Sequence, residues 1–212
     1  MGKIPQGILG GVSGTVGSVV GGGWKGIAYL RSKPLSVANP RTVGQVNQRN
    51  KMTFMVIVSQ ALLSLIIKPL WDRFAQKQSG YNAFVSANIS NVDDAGESFL
   101  DASAVIISKG KIEPTPITGS NATEGATSYT VTWGTGTTGQ QQSTDIAYVV
   151  GINTGGDGVI LSANNGVARS TGTITVQTQE LQASSVLALY LAFRSADGRN
   201  VSDNSYFNVT LS

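Results

Sequence analysis

The feature that most constrains the fold of this chain is a glycine-rich N-terminal segment without acidic residues. Ten glycines fall before residue 27, and residues 1–51 carry seven Lys and Arg but no Asp or Glu. Glycine loses more backbone entropy on folding than any other residue and buries no side chain, so such a segment cannot build a core alone. We therefore interpret residues 1–38 as an arm that becomes ordered by lying against something else.

Charge is divided unequally along the chain. Residues 1–90 hold ten basic side chains against the single acid Asp72, whereas residues 91–212 hold five basic and eleven acidic side chains, which gives +9 and −6. A basic front and an acidic back indicate either an anionic partner for the front or association of the front of one chain with the back of another. The sequence leaves both alternatives open.

The chain contains no Cys and no His, and only 13% of its residues are charged. Disulfide and thiolate chemistry are therefore absent, and so are the commonest general base and the commonest metal ligand. We predict no catalytic residue, no cofactor and no metal site, and hence a protein that is not an enzyme. The low charge is typical of a surface that partner subunits partly cover.

Apolar residues in the arm are separated by glycines, and residues 25–31 look like a strand. The run Gly21-Gly22-Gly23 is expected to turn a β-ribbon back on itself. A ribbon so rich in glycine is weak alone and would pair with the edge of another chain or lie in a groove. The residues predicted to dock there are two apolar anchors and four cations: Trp24, Tyr29, Lys25, Arg31, Lys33 and Arg41.

Residues 39–90 are predicted to be helical. Asn39-Pro40 is a start signal, with Asn as N-cap and Pro at the first helical position. Apolar residues then recur at steps of three, four and eight, until Pro69 breaks or kinks the helix. The most apolar window, residues 52–67, is shorter than the ~20 residues that span a bilayer, so we predict a core or assembly helix and no membrane span.

Residues 91–212 change character, because short apolar or alternating runs appear between clusters of Gly, Asn, Asp, Ser and Thr. The pattern predicts an antiparallel β-sandwich, with polar and exposed connectors at 115–127 and 134–144. The seven predicted strands are Ala104–Ser108, Ser128–Trp133, Ile146–Ile152, Val159–Ser162, Thr173–Thr178, Val186–Phe193 and Tyr206–Leu211.

Acidic residues cluster where the helices give way to strands, at Asp93, Asp94, Glu97 and Asp101. A calcium site would need oxygen ligands at alternate spacing around a sharp Gly turn, and this pattern matches no such loop. We interpret these residues as solvated linker acids. Asp157, between glycines, is interpreted as part of a turn that connects two strands.

Two runs in the last third resemble a fibronectin type III or immunoglobulin-like module. Ser128–Trp133 resembles the second strand of that fold with its inward Trp, and residues 187–202 resemble the late hairpin, in which a Tyr strand leads to a Gly-containing turn. The resemblance covers about half of the chain. It implies an immunoglobulin-like module in that half and nothing catalytic. Together with the patterns above, it leads us to predict an α+β chain with a Gly-rich extended arm (1–38), a short helical segment (39–90) and an immunoglobulin-like antiparallel β-sandwich (91–212).

Five motifs are spread over the full length of the chain, namely residues 7–17, 23–27, 29–34, 39–42 and 195–202. Through these motifs the whole chain resembles an uncharacterised Bacteroidota family that is known only as a domain of unknown function. That resemblance implies no activity.

The leading hypothesis is a non-enzymatic structural subunit of a homo-oligomeric assembly, the capsid, neck or tail of a Bacteroidota phage or a phage-derived particle. Immunoglobulin-like modules are frequent on such particles. No secretory signal is visible, so we expect synthesis in the cytoplasm and residence in the virion. The arm would add a strand to a neighbouring subunit, and the helices would form the inter-subunit core. The alternatives are a nucleic-acid-associated protein that uses the basic front and a cell-surface adhesive module.

Overall fold

The computed structural model describes residues 3, 10–36, 39–155, 158–181 and 185–211. The chain divides into two compact units, Met1–Arg41 and Thr42–Ser212. Helices and antiparallel sheets are both present, which confirms the α+β class.

The first unit contains a three-stranded antiparallel sheet where the sequence suggested an extended arm. Its strands, in spatial order, are β1 (Gly14–Val16), β2 (Val19–Trp24) and β3 (Ile27–Ser32). Lys25 and Gly26 form the turn between β2 and β3, with φ of 47° and 84°. Positive φ at both central residues is the requirement of a type I′ hairpin turn.

The prediction that the three consecutive glycines form this turn is wrong, because they lie inside β2. Two of these glycines, Gly21 and Gly22, allow residues outside β2 to pack closely against this strand. A Cβ on Gly21 would collide with the backbone and side chain of Val12, and one on Gly22 would lie 2.9 Å from the Tyr29 hydroxyl. Glycine in a strand often marks such a close approach.

The helical part of the second unit comprises α1 (Val43–Leu62), a π-helical turn (Leu63–Ile67), α2 (Lys68–Trp71) and α3 (Gly80–Asn88). The predicted start at Asn39-Pro40 is wrong by three residues, because Thr42 in extended conformation is the N-cap.

Near Pro69, where a break or a kink was predicted, the helix passes through the π-helical turn and ends two residues later at Trp71. Proline has no N–H to donate to the carbonyl of Leu65, four residues earlier. The Asn165 side-chain amide donates to that carbonyl instead, at 3.1 Å.

Seven strands lie in the described part of residues 91–212. They form two antiparallel sheets, in the orders β10-β9-β6-β7 and β4-β5-β8. Their bounds are β4 Ile117–Ser120, β5 Ser128–Trp133, β6 Ile146–Gly155, β7 Gly158–Ala168, β8 Thr173–Gln177, β9 Val186–Arg194 and β10 Ser205–Thr210.

Six of the seven predicted runs coincide with strands, and two predictions are wrong. Ala104–Ser108 is not a strand, because a 3₁₀ turn at Ala102–Ala104 leads into irregular backbone. Strand β4 lies in the segment 115–127 that was predicted to be a polar connector. Gly155 pairs with Gly158 at the end of β6 and β7, and Asp157 of the predicted turn lies outside the described residues.

Strand β9 connects two hydrophobic cores because both of its faces are buried. Leu187, Leu189, Leu191 and Phe193 pack with residues of the three-stranded sheet, such as Trp133. The alternate residues Ala188, Tyr190 and Ala192 pack with the helices, which contribute Met55, Leu62 and Phe84. The second unit therefore has three layers: the helices, the four-stranded sheet and the three-stranded sheet. One face of α1 packs against the four-stranded sheet of the same chain.

One helix among the described residues, Val43–Trp71, is long and apolar enough to cross a membrane, with a mean hydropathy of 1.8 in its most apolar window. Of that window, 44% is buried inside the protein. Length and composition alone are weak support for a span, because the core helix of a folded domain meets the same criteria.

Candidate protein-docking surface

The predicted docking residues gather on the hairpin formed by β2 and β3. Trp24 pairs with Ile27, Gly22 with Tyr29 and Val20 with Arg31. Directly paired residues project to the same face of an antiparallel sheet, and alternate residues of one strand share a face. Trp24, Ile27, Tyr29 and Arg31 therefore lie on one face of the hairpin, and the opposite face carries Leu30.

Large apolar side chains on this hairpin are exposed. Trp24, Ile27 and Leu30 keep 64%, 66% and 63% of their surface accessible, and Tyr29 keeps 47%. The Lys25 ammonium lies 4.9 Å from the centre of the Trp24 ring, a cation–π distance. The hairpin tip therefore combines a large apolar surface with positive charge.

The remaining predicted cations lie beyond the hairpin. Lys33 follows β3 and donates its backbone N–H to the Ser18 carbonyl at 2.7 Å, and its side chain lines an open depression of ≈ 830 Å³ together with Arg31. Arg41 is the last residue of the first unit. The structure thus brings Trp24, Lys25, Tyr29 and Arg31 together and places Lys33 next to them, while Arg41 lies nearer to α1 in sequence.

Sequence reasoning missed the exposed apolar side chains of Ile27, on the face of Trp24 and Tyr29, and of Leu30, on the opposite face. The sequence of β3 contained a usable signal for this exposure. Ile27 and Tyr29 alternate with Ala28 and Leu30, so that neither face of the strand is wholly polar. No acidic side chain occurs before Asp72, so the first unit has no carboxylate to balance its five cations.

The second unit carries a different kind of exposed surface on α1. No charged residue occurs from Met52 to Ile67, although one face of this segment is accessible to solvent. Ile57 is 60% and Leu65 is 39% exposed, and Ala61 between them is also exposed. Residues four apart lie on the same helix face. We call Ile57, Ala61 and Leu65 the α1 stripe.

The four clustered acids lie in residues 93–101, which we call the acidic loop. Backbone N–H groups of Glu97 and Ser98 donate to Asp93 and lower the pKa of its carboxyl. Lys51 lies 2.8 Å from Asp94 and lowers its pKa, and the Ser103 hydroxyl and N–H do the same for Asp101. Ionised carboxylates are thus favoured along the loop, and no group of three or more acids among the described residues could hold a metal ion.

A sequence family matches residues 11–208 of the chain, and it is described as a family of unknown function, DUF6266. The chain belongs to DUF6266. The match spans nearly the whole chain, from the first unit to the last strand, and brings no activity with it. No curated protein matches the chain.

Among solved structures, one described as a myokine structure is similar to part of this DUF6266 chain. It is 13% identical and covers 48% of this chain and 100% of its own, with a TM-score of 0.34. At that score the likeness carries no conclusion about fold or function.

Proposed function

We propose that this protein is a non-enzymatic structural subunit of a large homo-oligomeric assembly, which it joins through the β2–β3 hairpin. The observation that carries the proposal is the exposed apolar surface of Trp24, Ile27 and Tyr29, which share one face of a small sheet with no carboxylate. Scattered apolar residues on a surface are ordinary, but a contiguous set is typical of an interaction site. Buried aromatic anchors contribute most to such contacts.

The outer edge of β3 supports association by strand addition. Within the described residues β3 pairs only with β2, and all six of its residues are exposed. Ladder hydrogen bonds of an antiparallel pair engage every second residue on one side, so the alternate N–H and C=O groups of β3 point away from β2. An unpaired edge of this kind accepts a strand from another chain.

The specific setting that we propose is a virion or phage-derived particle from a Bacteroidota host. Two observations support it: the low charge of the chain, and a sheet pair whose strand order, β4-β5-β8 facing β10-β9-β6-β7, suits a fibronectin type III-like module. Mass spectrometry of particles purified by density gradient from the source bacterium tests this setting. If the protein is absent from the particles but present in the cytosol, the virion setting is rejected, whereas the proposed homo-oligomeric assembly is not.

The assembly itself is tested by sedimentation velocity of the full chain over a concentration series. The variant Trp24→Thr/Ile27→Thr removes apolar surface but keeps residues that favour strands. We expect at least about a tenfold rise in the apparent dissociation constant. The exposed pair Thr137→Lys/Ser170→Lys on the second unit serves as control. Unchanged assembly of the hairpin variant would refute the proposal.

A second candidate function is single-stranded nucleic-acid binding, which is favoured by the shared face of Trp24, Tyr29 and Arg31. Aromatic side chains on which bases can stack, placed beside cations, suit such a ligand. Affinity for an oligonucleotide of mixed sequence, measured at several salt concentrations, separates the candidates, because phosphate contacts give a steep negative slope of log affinity against log salt. No measurable binding at low salt would reject this candidate.

A further inference from the structure

We propose that the hairpin of one chain docks on the α1 stripe and the adjoining acidic loop of a second copy, so that copies associate front to back. This inference rests on the proposed function and adds the identity of the partner surface. The inference is argued from two exposed regions, the hairpin on the first unit and the α1 stripe with the acidic loop on the second. The hairpin supplies cations and the loop supplies acids.

The α1 stripe is an apolar surface that the described residues of the second unit leave exposed. The buried residues Phe54, Met55, Val58 and Leu62 pack in the core of the second unit, whereas Ile57, Ala61 and Leu65 lie on an exposed face. A solvent-facing helix surface ordinarily carries charged residues. Sixteen residues without a charge, Met52 to Ile67, are therefore unusual for a face that stays in water.

The acidic loop lies at the N-terminal end of this stripe. Phe99 of the loop contacts Phe54 with ring centres 5.2 Å apart, and Lys51 pairs with Asp94. The loop also packs closely on Asn50, since a Cβ on Gly96 would lie 2.5 Å from the Asn50 carbonyl carbon. Asn50 and Ile57 are seven residues apart, which places them on the same side of the helix.

The two surfaces are complementary in charge as well as in apolar character. The first unit carries five cations and no acid, whereas the acidic loop carries four acids, one of which pairs with Lys51, and no cation of its own. A symmetric contact between two hairpins would instead bring like charges together, which opposes association. A front-to-back contact would place the cations of the first unit against the acids of the loop. This charge complementarity favours a second copy of the chain as the partner that covers the α1 stripe.

The chain between the two units is long enough for such a contact. Ten residues separate the end of β3 at Ser32 from the start of α1 at Val43. Extended backbone spans at most ~3.3–3.6 Å per residue, so these residues could span at most about 35 Å.

A front-to-back contact is heterologous, because it uses a different surface on each copy. It leaves one hairpin and one stripe unused at the ends of an open assembly, so it propagates into a ring or a filament.

The experiment uses two full-length variants, each defective on one side. The hairpin variant is Trp24→Thr/Ile27→Thr, and the stripe variant is Ile57→Lys/Ala61→Lys, which places cations opposite a cationic hairpin while keeping good helix formers. Circular dichroism and thermal unfolding establish that each variant is folded. The control is again Thr137→Lys/Ser170→Lys, which adds the same charge to the same unit at exposed positions outside α1 and the acidic loop.

Sedimentation velocity and native mass spectrometry then measure assembly. We expect each variant alone to be monomeric at concentrations at which the wild type and the control assemble. An equimolar mixture is expected to form a 1:1 dimer and nothing larger, because the stripe variant supplies a hairpin and the hairpin variant supplies a stripe. Glu97→Lys, an independent change in the acidic loop, is expected to weaken wild-type assembly at low salt and to lose that effect at high salt.

Other outcomes overturn the inference in distinguishable ways. If the hairpin variant is defective but the stripe variant assembles like wild type, the partner surface is wrong and the proposed function stands. If the mixture yields no dimer, the front-to-back arrangement is wrong. If neither variant changes assembly, the inference and the proposed function fail together. A wild type that stays monomeric throughout also rejects the second copy as the occupant.

Discussion

Arg169 and Asp145 form a buried ion pair, with 3.3 Å between Nη2 and Oδ2 and with side chains that are 0% and 1% exposed. The Arg169 guanidinium also lies 3.7 Å from the centre of the Phe193 ring and donates to the Thr115 hydroxyl. Burial lowers the pKa of Arg169, and the Asp145 charge opposes that shift. The pair holds the segment after β7 against the loop before β6.

Removing one charge of this pair is expected to be severely destabilising. Asp145→Asn leaves the Arg169 cation buried without its counter-ion, which costs about 3–5 kcal/mol of unfolding free energy. Urea unfolding followed by fluorescence measures the loss. Asp197→Asn, which disrupts an exposed pair with Arg199, should change stability far less. Equal losses for the two variants would contradict the prediction.

Stability at high pH is expected to depend on Tyr129. Burial raises its pKa to about 12 from 10, although a hydrogen bond with Ser162 opposes the shift. The folded state therefore holds the proton more tightly than the unfolded state, so the stabilisation is present below pH 10 and is lost as pH rises towards 12. Tyr129→Phe should lose about 1 kcal/mol at pH 7 and show a shallower decline above pH 10. Part of the decline remains, because burial also raises the pKa of Tyr190. An unchanged slope between pH 10 and 12 would contradict this assignment.

Two glycines of the same strand are expected to respond oppositely to alanine. Gly21→Ala places a methyl group into Val12, whereas the nearest atom to a Cβ on Gly23 is the Ile27 carbonyl oxygen at 3.9 Å. Gly21→Ala should therefore reduce the chemical-shift dispersion of the first unit's signals in an amide NMR spectrum or shift those signals strongly. Gly23→Ala should preserve them and is expected to stabilise the strand slightly, since alanine loses less backbone entropy than glycine. Similar spectra for both variants would contradict the packing of Val12 on β2.

The side chain of Asn88 is expected to be essential for the second unit. Its amide donates to the Phe84 and Ile106 carbonyls at 3.0 and 2.9 Å and accepts from the Ile106 N–H at 2.8 Å. Asn88→Ala leaves these buried groups unsatisfied, with an expected loss of about 2–3 kcal/mol in urea unfolding. The exposed Asn82→Ala on the same helix serves as the control. A loss no larger than that of the control would show that water replaces the amide.

The same hydrogen bonds explain one error of the sequence prediction. Residues 104–108 have the composition of a strand, but side-chain amides satisfy their backbone where a neighbouring strand would. Asn88 bonds Ile106, and Asn204 accepts from the Ile107 N–H and donates to the Val105 carbonyl. Asn204 is about a hundred residues away along the chain, so no local pattern could have indicated this arrangement.

The periodicity of apolar residues predicted a strand correctly where the burial of its side chains repeats regularly along the chain. The alternation in Ser128–Trp133 gave β5 with its exact bounds, because one face packs in the core and the other does not. Strand β4 was missed because it is short, and Gly119 and Ser120 interrupt the apolar pattern. The hairpin turn was misplaced because three glycines are a stronger local signal than Lys25-Gly26, while the contacts that require glycine in β2 come from residues 12 and 29.

The composition of the first unit has a consequence for how its contacts respond to the environment. With no Asp, Glu or His before residue 72, it contains no side chain of a type that ordinarily titrates between pH 4 and 9. The first unit therefore offers no carboxylate or imidazole that acid could protonate. Acidification can release a partner from the hairpin only by protonating the partner, whereas added salt screens both sides at once.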